Sequence, residues 1–143
     1  MIERFVMNKS NPVYDVRNNS LIETATNTLI AGGTQSTVIH ESVTTIGQEA
    51  FYESCISSVD LHAGITAIED YAFDYSDITQ IICRATTPPT LGESPFRLTN
   101  YSGLMKVPEE SISLYRSSWF LTDVGYLGWT NYRWGLIALT DGE

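Results

Sequence analysis

Apolar and polar positions between Thr37 and Cys83 recur with a step of 22 residues. Ile46 returns as Ile68, Ala50 as Ala72 and Phe51 as Phe73. His40/His62, Thr44/Thr66, Ser54/Ser76 and Ile56/Ile78 are further identities, while Ile39/Leu61, Val43/Ile65 and Val59/Ile81 keep apolar character. A period in the twenties predicts coils that each lend one strand and one short helical segment to a shared core. Side chains alternate along a strand. Thr37 and Ile39, Val59 and Leu61, and Ile81 and Cys83 therefore point inward. Val38 and His40, Asp60 and His62, and Ile82 and Arg84 point outward. After a turn, Ile46 or Ile68 anchors the core again. A short helix is then expected, with Ala50-Phe51 or Ala72-Phe73 against the strand layer. Alanine permits close approach and phenylalanine fills the space between coils, as dense interiors require.

The flanks follow other patterns. Residues 2–7 alternate weakly, which predicts an edge strand. Asn11-Pro12 is a turn signal. Val13-Tyr14-Asp15 reads as extended, and Arg17-Asn18-Asn19-Ser20 as a polar loop. Leu21-Ile22-Glu23 and Thr28-Leu29-Ile30 around four polar-link residues predict a β-hairpin. Such a hairpin would cap the first coil, as terminal units of repeat proteins do. Gly32-Gly33 is expected to bend the chain into that coil. Thr86-Thr87-Pro88-Pro89-Thr90 cannot form a helix and reads as a rigid corner. Leu91 and Phe96 take the places of Ile68 and Phe73 with one residue inserted. Leu104-Met105-Lys106-Val107 is expected as the last strand. Pro108 suits a helix start, Glu109 and Glu110 favour its first turn, and Ile112 and Tyr115 share one of its faces. The reading is one domain: cap 1–36, repeats 37–107 and a C-terminal cap or interface segment 108–143.

The segment from Val43 to Cys55, V-T-T-I-G-Q-E-A-F-Y-E-S-C, resembles the BspA-like leucine-rich repeat. Asn11–Asn19 with Asn27–Gly32, Thr87–Leu91, and Val107-Pro108-Glu109 leading to Tyr115 are similar to flanking segments of that family. The resemblance covers about residues 11–118. The second coil departs from it, with Glu69 where Gly47 sits and Asp77 where Cys55 sits. The resemblance implies an α+β solenoid: a short right-handed leucine-rich-repeat solenoid with an N-terminal β-hairpin cap and an aromatic-rich C-terminal cap. It also implies protein binding or surface attachment, on a cell surface or a virion, of the kind found in gut bacteria and their phages.

Composition narrows the function classes. The chain has 143 residues, 43% of them hydrophobic, and a formal net charge of −9. That acidity argues against sequence-independent nucleic-acid binding, which needs cations to neutralise phosphates. It argues equally against anionic membranes. No run approaches the ~18 apolar residues of a membrane helix, and Met1–Met7 does not read as a secretory signal. Cys55 and Cys83 are expected in small buried slots rather than in a disulfide or a zinc site.

No catalytic constellation is present: no GxSxG elbow, no phosphate-cradling glycine loop and no HExxH. The reading is therefore not an enzyme, with no cofactor and no metal site. His40 and His62 fall one repeat apart and supply too few ligands for a closed metal site. They begin an outward column, His40, His62, Arg84 and Lys106, at 22-residue steps. A second column is Val38, Asp60, Ile82 and Leu104. The cationic column is expected to seat an acidic ligand or acidic protein loop. Trp119, Phe120, Tyr126, Trp129, Tyr132 and Trp134 are expected either to cover the open end of the repeats or to form a subunit interface. The function expected is a non-catalytic binding or adhesion module whose partner is a protein or a host-surface ligand. The alternative is a structural subunit of a phage particle, such as a capsid, head-fibre or tail accessory protein, with self-association.

Overall fold

A computed structural model describes residues 4–7, 11–34, 38–96, 102–120 and 133–143. Two sheets carry the chain. The first begins with β1 (Tyr14–Arg17), β2 (Ser20–Glu23) and β3 (Thr28–Gly32), an antiparallel meander. Asn18 and Asn19, at φ 48° and 53°, make a two-residue turn between Arg17 and Ser20. Asparagine tolerates this left-handed region, and the turn's twist matches that of the flanking strands. The stretch read as a polar loop is thus a tight hairpin. The predicted β2–β3 hairpin is present, with Glu23 opposite Thr28. Residues 4–7 form no strand; Phe5 N donates to Asn19 Oδ1 at 3.0 Å.

From β3 onward the pairing becomes parallel and periodic. β4 (Thr45–Ile46), β6 (Ala67–Ile68) and β8 (Thr90–Leu91) continue the first sheet, with Leu29, Ile46, Ile68 and Leu91 in line. The hairpin's last strand is therefore the first rung of the repeat. The second sheet runs β5 (Ser58–Leu61), β7 (Gln80–Cys83), β9 (Ser102–Val107) and β10 (Arg133–Ala138), all parallel. An isolated bridge joins Val38 to Asp60. β9 is thus not the last strand. Arg133–Ala138, from the aromatic-rich segment, pairs along its whole length.

The core lies between the sheets and obeys the predicted alternation. Ile39, Val59, Leu61, Ile81 and Cys83 are buried, as are the anchors Ile46 and Ile68. Thr37 lies outside the described residues. Phe51, Phe73 and Phe96 form a stack with centroids 5.0 and 5.4 Å apart and nearly parallel rings. Trp119 closes it at 6.0 Å from Phe96.

The expected helix after each anchor is instead a run of tight turns. Ala50, Tyr52 and Ser54 N–H groups donate back to Gly47, Glu49 and Phe51 carbonyls at 3.1 Å. The alternate N–H groups of Glu49, Phe51 and Glu53 reach across to Asp70, Ala72 and Asp74, at 3.1, 2.7 and 3.0 Å. Tyr71 and Phe73 repeat the pattern onto Glu93 and Pro95. Glu49, Glu53, Tyr71 and Tyr75 adopt positive φ to allow it. A helix this short is marginal alone, whereas these turns satisfy the backbone of the neighbouring coil as well as their own. Among the described residues, helical structure is confined to 109–120, including α1 (Ile112–Tyr115).

Candidate binding face

The outward side of β5, β7 and β9 carries Asp60, Ile82 and Lys106, three of the residues singled out in the sequence. Asp60 lies across from Ile82, as a 22-residue step demands. The next step does not keep that length. Gln80 faces Leu104, Ile81 faces Met105 and Ile82 faces Lys106, so β9 is displaced by two residues. The cause is accumulated length in the third coil. Ile68 to Leu91 already takes one extra residue, and a second is added before β9. The outward row is therefore Val38, Asp60, Ile82, Lys106 and Ile137. The two predicted columns are redrawn: Lys106 moves off the His40, His62, Arg84 line, and Leu104 leaves the Val38, Asp60, Ile82 line.

Each predicted residue has a defined surrounding. Arg84 Nε and Nη2 donate to Asp60 Oδ1 and Oδ2, both at 2.8 Å, a bidentate pair from neighbouring strands. The Asp60 carboxylate accordingly raises the Arg84 guanidinium above its ordinary range. Arg84 Nη1 donates to the backbone oxygen of Glu143 at 2.6 Å. Lys106 Nζ donates to the side-chain carboxylate of the same Glu143, which Thr140 also holds through its hydroxyl. Lys106 is the first cause of a Glu143 carboxyl lowered to about 2.

The histidines repeat one device. Ser42 N donates to His40 Nδ1 at 3.1 Å, and Gly64 N to His62 Nδ1 at 3.0 Å. An accepting Nδ1 places the ring proton on Nε2, and His62 Nε2 donates to the His40 carbonyl at 3.1 Å. These imidazoles close turns and tie one coil to the next. The face draws its cations from Arg84 and Lys106. No group of three or more His, Cys, Asp or Glu able to hold a metal occurs among the described residues.

The rest of the predicted aromatic surface divides. Trp119 is buried, and its Nε1 donates to Pro89 O at 3.1 Å. Tyr115, also buried, donates to Ala85 O at 2.8 Å, and Ser111 Oγ to Thr86 O at 2.7 Å. The helical stretch thus docks on the proline corner, whose carbonyls the missing proline N–H groups leave available. Trp119 is covered and offers no contact surface. Phe120 ends the helical stretch and Trp134 lies in β10 opposite Gly103. Tyr126, Trp129 and Tyr132 lie outside the described residues.

Thiol chemistry is not favoured. Burial pushes the Cys83 thiol far above its ordinary range, which removes the thiolate at neutral pH. Cys55, expected in a buried slot, is exposed and is not bonded to Cys83.

Comparison with known proteins agrees with the periodic architecture. The sequence model of the BspA type leucine rich repeat region matches residues 31–123, with six copies. The chain belongs to this family. Membership implies a repeat solenoid, and leucine-rich repeats generally bind proteins and generally are not catalysts. No curated protein and no solved structure matches the chain. In this BspA-type chain the parallel ladders place Asp60 and Lys106 in one outward row, and Arg84, just past β7, is held on Asp60.

Proposed function

We propose that this BspA-type repeat domain is a non-catalytic adhesion or recognition module that takes an acidic protein segment on the outward face of β5, β7, β9 and β10. The observation that carries the reading is the meeting of Arg84, just past β7, and Lys106, on β9, on one acidic residue, Glu143. A partner's carboxylate would be recognised by the same two cations. Exposed Val38, Leu104 and Ile137 surround them with apolar contact area. Net acidity elsewhere disfavours a partner that ignores this patch.

In this reading the coils form a right-handed solenoid. The β1–β3 meander caps its first coil and the 109–120 stretch with β10 closes its far end. The support is the parallel step from β3 into β4 and the seating of Trp119 against Phe96. The test is fluorescence anisotropy with a labelled hexaglutamate peptide at low ionic strength. The double variant Arg84→Glu with Lys106→Glu should weaken binding by about tenfold or more. Unchanged affinity in a folded double variant removes this site.

A further inference from the structure

We infer that residues 139–143 are a built-in competitor for the acidic-ligand seat, so that the face is masked in the free protein and opened by displacement of this segment. The inference rests on the reading of Arg84 and Lys106 given above and adds its regulation.

Three features carry it. First, Glu143 imitates a ligand. Its backbone oxygen accepts from Arg84 Nη1 at 2.6 Å and its carboxylate accepts from Lys106 Nζ. Two acceptors of one residue thus occupy cations from β9 and from the end of β7. Second, the segment after β10 has the geometry of a turned-back strap. The ladder continues past β10 only through Leu139 N to Val107 O, at 2.8 Å. Gly142 then takes φ 90°, and Glu143 N donates to Thr140 O at 3.1 Å. This turn carries Glu143 back over the sheet. Third, what holds the strap is polar. Thr140, Asp141 and Gly142 are exposed, and none of the core residues belongs to this segment. The ion contacts of Glu143 are only partly buried, and contacts still open to water are screened by salt, so a better acidic ligand can take the strap's place. The Asp60–Arg84 pair stays when the strap leaves, which keeps the guanidinium aimed outward. The occupant that fits is an acidic protein segment presenting a carboxylate and a neighbouring carbonyl, as Glu143 does.

Glu143→Gln in the full chain keeps size and polarity and removes the charge. Anisotropy with labelled hexaglutamate should show about threefold or greater gain in affinity for the variant, because competing equilibria divide the apparent affinity. Backbone ¹⁵N relaxation of Asp141–Glu143 should show faster motion in the variant, and in the wild-type chain saturated with peptide. Equal affinities, with both lost in Arg84→Glu/Lys106→Glu, would leave the seat in place and overturn the strap. Weaker binding by Glu143→Gln, or Asp141–Glu143 amides undisturbed by saturating peptide, would also overturn it. Absence of binding by both chains would overturn the acidic-ligand reading and the strap together.

Discussion

A methyl group on Gly32 would lie 2.0 Å from Cε1 of Phe51. The glycine read from sequence as a bend therefore serves as the floor beneath the first ring of the stack. Gly32→Ala should destabilise the fold by about 1–3 kcal/mol through overpacking, measured by urea denaturation; an unchanged midpoint would show that the ring is not seated there. Tyr115 makes the reverse case, a buried hydroxyl that donates to Ala85 O. Burial pushes its phenol well above the ordinary range, so it remains a donor at all moderate pH. Tyr115→Phe should cost about 1–3 kcal/mol by leaving that carbonyl unsatisfied; a melting curve identical to the wild type would contradict the bond. Glu143 supplies a pH signature. Its carboxyl is lowered to about 2 from 4.5, first by the Lys106 bond and then by Thr140. A depressed folded value means that docking of Glu143 is fully present above about 4.5 and is lost as pH falls through about 2. Arg84, which faces it together with Lys106, stays charged throughout. A Glu143 side-chain carboxyl signal in NMR that titrates near 4.5 would contradict the docked segment.

At the scale of elements, the ring stack and the strand phase were legible and the helix was not. Ile46, Ala50 and Phe51 have spacing that a helix and a series of tight turns both satisfy. Only the neighbouring coil, which accepts the Glu49, Phe51 and Glu53 N–H groups, decides between them. The same limit hid the pairing partners of the outward face. Asp60 and Arg84 were both placed outward, and their adjacent strands make them diagonal neighbours, so their ion pair was within reach of the sequence. The two-residue displacement of β9 was only half visible, as the insertion before Leu91. The Glu143 contacts had no local signal, because they depend on β10 joining the sheet. The stack itself makes a firm prediction. Phe73→Ala, between Phe51 and Phe96, should cost about 3–5 kcal/mol in chemical denaturation; a loss below about 1 kcal/mol would mean that the rings do not share a core.

For the whole molecule, two parallel ladders bring together residues far apart in sequence, and the functional reading follows from their register. With a uniform 22-residue step Lys106 would stand directly beside Arg84. The displaced β9 instead sets Lys106 beside Ile82, and Glu143 reaches both cations. Register also determines which outward residues surround the seat, since a slip changes every neighbour. Inter-strand contacts between backbone protons, measured by NMR in the full chain, test this most directly. The account predicts contacts linking Val59 to Ile81 and Ile81 to Met105. Contacts linking Cys83 to Met105 instead would contradict it.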